Sequence, residues 1–121
     1  MGAICLGVYI TVCCFILFDI ITGIIKALYK EGLNSTMLRK GLFHKLSEIV
    51  ALAGSGLLEY AAVYVNLAID IPVLKVVSCY ICVMELISIL ENISEVNPTM
   101  GRLFKPYLEK LKSKDSDGDE D

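Results

Sequence analysis

Residues 46–90 read LSEIVALAGSGLLEYAAVYVNLAIDIPVLKVVSCYICVMELISIL, and this stretch decides the fold. It contains two apolar runs, 46–69 and 72–90, parted only by Asp70 and Ile71. At about 1.5 Å per helical residue, each run approaches or exceeds a hydrocarbon core of about 30 Å. Two such runs on so short a joint predict an antiparallel transmembrane hairpin. Working outward, residues 2–18 carry no charge and the apolar character continues past Asp19 to Ile25, which predicts a first span over 2–25. No Lys or Arg precedes that run and no small-residue cleavage pattern follows it, so a retained helix is expected rather than a cleaved signal. The expected fold is an all-α integral membrane protein, with three transmembrane helices within residues 1–95 and short interfacial amphipathic helices. Composition agrees, because 55% hydrophobic against 21% charged residues in a 121-residue chain is poor in charge for a soluble domain.

The basic residues orient the chain. Lys26, Lys30, Arg39, Lys40 and Lys45 follow the first span, and Arg102, Lys105, Lys110, Lys112 and Lys114 follow the third. Only Lys75 stands beside the joint of the hairpin. The positive-inside bias then predicts the N-terminus outside, with the first loop and the C-terminus in the cytoplasm.

Between the first two spans, Asn34 or Ser35 can cap a short helix in which Leu38, Leu42, Phe43 and Leu46 share a face among basic residues. That segment reads either as a helix on the inner membrane surface or as a solvated basic linker. Beyond the third span, Asn97-Pro98 breaks the chain, and Leu103, Phe104, Tyr107, Leu108 and Leu111 predict a cytoplasmic amphipathic helix over 99–112 that contacts lipid. Residues 113–121, rich in Asp and without apolar side chains, are expected to be disordered.

Acids inside spans cost about 2.5–3.5 kcal/mol each when central, so they need a reason. Glu48, Ser55, Glu59, Ala62 and Asn66 recur at helical spacing in the second span, with Glu59 near its middle. Ser78, Cys82, Glu85, Ser88, Asn92 and Glu95 do the same in the third. Such stripes either bond helices to one another or line water after the chain assembles with copies of itself. Enzymatic chemistry finds no footing. His44 is the only histidine, no nucleophile arrangement is visible, and Cys79 and Cys82 have redox spacing without the soluble setting it needs. No metal or cofactor site and no nucleic-acid signature is read.

One run resembles a known family. Asp19, Thr22-Gly23 and Lys26-Ala27, then Ser35 and Gly41 with Lys45, resemble the toxin-secretion/phage-lysis holins, as does Glu85, Ser88 and Glu91-Asn92 in the third span. The stretch after Asn92 departs from the family pattern, with Ser94-Glu95-Val96-Asn97-Pro98 in place of a Gly-rich lead into the proline. The resemblance implies a membrane protein that forms homo-oligomeric lesions, releasing endolysin or a large toxin. Asp19, Thr22, Gly23, Lys26 and Ala27 share one side of a helix, an assembly face in which Asp19 can pair with Lys26 and which Glu91 and Asn92 can meet. Two rival readings stand beside it: an antiholin or other regulatory membrane partner, and a small proton-coupled exporter built around Glu59.

Overall fold

The computed structural model describes residues 2–30, 32, 34–68 and 71–119. Four helices follow one another: α1 (Gly2–Lys30), α2 (Ser35–Tyr64), α3 (Val73–Val96) and α4 (Pro98–Asp119). The first three are long and apolar enough to cross a membrane, over Leu6–Lys30, Ser35–Tyr64 and Val73–Val96. No strand occurs among the described residues.

Local chemistry explains the boundaries. After α1, the Gly32 amide reaches back to the Ala27 carbonyl at 2.6 Å while Gly32 takes a φ of 87°. That left-handed backbone suits a residue without Cβ. Asn34 caps α2, its side-chain oxygen accepting from the Thr36 amide at 2.9 Å. No proline interrupts the next 30 residues, so the basic segment expected as a surface helix or linker is instead the opening of α2 itself. At about 1.5 Å per residue, α2 is some 45 Å long and outruns a hydrocarbon core.

α2 also stops earlier than the apolar run suggests. Val65 closes it by donating to the Ala61 carbonyl at 2.7 Å, and Asn66 then adopts a φ of 55°. Asparagine is among the few residues that enter the left-handed region readily, so Asn66 ends the helix rather than continuing its polar face. The connection before α3 is therefore longer than the two-residue joint expected, and Asp70 in it lies outside the described residues. α3 runs past residue 90 to Val96. Asn97 caps α4 by accepting from the Met100 amide at 3.3 Å, with Pro98 in the first helical position. Helical backbone in α4 runs to Asp119, through Pro106 and through residues 113–119, where composition alone predicts disorder.

The described residues fall into two compact units. The first comprises Met1–Cys14 with Asn34–Cys82, and the second Phe15–Leu33 with Val83–Asp121. The first buries Val12, Leu52, Ser55, Leu74, Ser78 and Ile81; the second buries Ile16, Asp19, Glu85, Ile87 and Asn92. Large apolar side chains such as Leu17, Phe18, Leu28, Leu57, Tyr60 and Val63 are exposed. Polar groups inside and apolar groups outside invert the soluble pattern and fit a lipid solvent.

Candidate functional site

In the second unit, the C-terminal part of α1 presents Asp19, Thr22, Gly23 and Lys26 on one side, as i, i+3, i+4 and i+7 spacing dictates. α3 brings Asn92 against them. The Asn92 side-chain amide donates to Asp19 Oδ1 at 3.2 Å and to Thr22 Oγ1 at 3.1 Å, with Asp19 and Asn92 both buried. Thr22 turns its own hydroxyl proton to the Asp19 carbonyl at 3.1 Å. Gly23 lies beneath this bridge, where a Cβ would meet Asn92 Nδ2 at an ordinary 3.8 Å. One to two turns further along, Lys26 and Lys30 both reach Glu95, at 3.1 and 3.3 Å, in a half-exposed ion-pair group. Glu91, on the exposed side of α3, pairs with Lys112 of α4 at 2.7 Å.

In the first unit, Glu59 reaches from α2 to the start of α3, where its Oε1 accepts from the Leu74 amide at 3.1 Å. The first amides of a helix have no partner within the helix and lie at its positive end, so a carboxylate there satisfies both bond and dipole. The Tyr9 hydroxyl of α1 sits directly over Gly56 of α2, in space that a Cβ at 56 would occupy. Ser55 and Ser78 are buried and donate to carbonyls of their own helices, Leu52 at 2.8 Å and Lys75 at 3.0 Å. Both Glu48 carboxylate oxygens are buried. Oε1 lies 2.8 Å from His44 Nδ1 and 3.8 Å from Lys45 Nζ, but neither approach has hydrogen-bond geometry.

Three apolar helices with polar bridges between them fit many small membrane proteins, and comparison with known families separates them. The bacteriophage holin family profile matches residues 3–113, nearly the whole chain. The chain belongs to the bacteriophage holin family. Holins are a family of non-enzymatic membrane proteins. No curated protein and no solved structure matches it.

Set against the sequence expectations, the holin brings its two motif blocks together at Asp19, Thr22 and Asn92. The partner of Lys26 is Glu95 rather than Asp19. Glu95 was visible as the last member of the third-span stripe, yet helical periodicity assigns a face and not a partner. Glu91, expected to meet the α1 face, pairs instead with Lys112 of α4. Ala27 and Ser88 are half-buried, and Glu85 is almost wholly buried. Glu59 is not a mid-span acid: α2 ends at Tyr64, which places Glu59 near the hairpin end. Asn66 leaves the stripe altogether for the turn.

Proposed function

We propose that this chain is a lesion-forming holin. It accumulates in the bacterial cytoplasmic membrane, N-terminus outside and C-terminus in the cytoplasm, and oligomerises into lesions that release endolysin or a large toxin. The observation that carries the reading is the interior placement of Asp19, Ser55, Ser78, Glu85 and Asn92 in a chain with apolar surfaces and holin kinship along its length. While the protein is dispersed, helix packing keeps those groups from lipid, with Asn92 bonded across to Asp19 and the serines bonded to carbonyls of their own helices. In an oligomer the same faces turn to water, which removes the cost of holding them in hydrocarbon. α4, with Arg102, Lys105 and Lys110 around exposed Leu103 and Tyr107, lies on the anionic inner surface and tethers the C-terminal side.

Expression of the full chain alone in bacteria tests this. The expected result is abrupt growth arrest with leakage of a cytoplasmic enzyme after a delay. Harmless accumulation in the membrane would instead assign the chain to regulation of another holin, and proton-driven solute uptake without protein leakage would make it an exporter.

A further inference from the structure

A groove of about 420 Å³ runs between the first halves of α1 and α3 in the first unit, from Gly7 to Val12 on one side and from Lys75 to Cys82 on the other. Its walls offer little to a polar guest. The two hydroxyls along it, Thr11 and Ser78, donate to carbonyls of their own helices, Gly7 at 2.8 Å and Lys75 at 3.0 Å. The charged group at its end is Lys75, which is exposed and makes no ion pair among the described residues. Lys75 is also the third residue of α3, where the helix dipole opposes a cation. Glu59 directs its Oε1 to the neighbouring Leu74 amide. The groove thus joins a cation at the membrane-surface end of a span to an apolar channel that follows α3 inward for about 10 Å at 1.5 Å per residue.

We propose that this groove seats an anionic phospholipid, its phosphate on Lys75 and one acyl chain along α1 and α3. The phosphate supplies the negative charge that Lys75 favours, and the chain covers apolar wall without asking for hydrogen bonds. Gly7 keeps the channel open: nothing lies within 4 Å of where its Cβ would be, so a larger side chain there fills the groove without displacing protein.

The test uses the full chain in phosphatidylcholine nanodiscs doped with phosphatidylglycerol that carries a photoreactive group on one acyl chain. Irradiation, digestion and mass spectrometry should place the label on residues 7–12 and 75–82. Lys75→Gln should lower that label about fivefold, the effect of one basic side chain on an anionic headgroup. Gly7→Leu should lower it while leaving helix content unchanged. Photoreactive phosphatidylcholine giving the same label, or Lys75→Gln labelled as fully as the parent, would overturn the proposal. So would crosslinking between copies through Cys79 that phosphatidylglycerol does not suppress, because a second copy would then occupy the groove.

Discussion

Asn92 joins the two motif blocks through one amide group, donating to a carboxylate and a hydroxyl on α1. Interhelical hydrogen bonds in membranes average about 0.6 kcal/mol and reach about 1.7. Asn92→Ala is therefore expected to lower stability by about 1–2 kcal/mol, measured by reversible unfolding in mixed micelles. Asn92→Asp, which sets a second acid against Asp19, is expected to cost more than the alanine; a smaller cost would contradict the bridge. Gly56 makes a complementary case. Gly56→Ala drives a methyl group into the Tyr9 hydroxyl, and overpacking of this kind costs about 1–3 kcal/mol. Adding Tyr9→Phe removes the clashing oxygen and is expected to recover about half of that loss. A double variant no better than Gly56→Ala would show that α1 packs elsewhere. At this scale the participants were legible and the partners were not. Asp19, Thr22, Lys26 and Asn92 stood out as polar residues in apolar helices, but the choice of Glu95 over Asp19 for Lys26 depends on how α1 and α3 are set in register, which neither helix's own pattern encodes.

At the scale of elements, the capping chemistry was readable wherever it was local. Asn34 before α2 and Asn97-Pro98 before α4 act through neighbours two or three residues away, and both are found where the sequence places them. The joint between α2 and α3 was not readable by the same means. An apolar run has no internal mark for where helix ends and turn begins, and Asn66 fits a polar stripe as well as it fits a left-handed turn. That ambiguity displaced Glu59 towards the middle of the span, whereas it caps α3. Glu59→Ala is expected to cost about 1 kcal/mol, as loss of a helix cap does, and to speed amide exchange of Leu74 and its neighbours about fivefold. Glu59→Gln keeps a carbonyl acceptor for the Leu74 amide and is expected to retain most of the protection. If both variants exchange as the parent does, the capping role is wrong.

For the whole molecule, the inverted distribution of polarity is the feature from which lysis has to be explained. Ser55 and Ser78 are each about as buried as the apolar side chains around them, while Leu17 and its like face outward. A packing role keeps the serines dry throughout; a lesion-lining role keeps them dry only until the copies assemble. Cysteine accessibility separates the two. In a variant without native cysteines, Ser55→Cys and Ser78→Cys are expected to resist a membrane-impermeant thiol reagent while cells grow, and to react from the moment a cytoplasmic enzyme begins to leak. Leu17→Cys, on the apolar surface, is expected to remain unlabelled throughout, because lipid or another apolar helix covers it in either state. Labelling of both serine positions before leakage would mean that the faces are already wet and that assembly does not expose them. Protection that persists through leakage would assign the stripes to helix packing alone and require the lesion to be lined by other surfaces, such as the exposed, basic opening of α2 around Arg39 and Lys40.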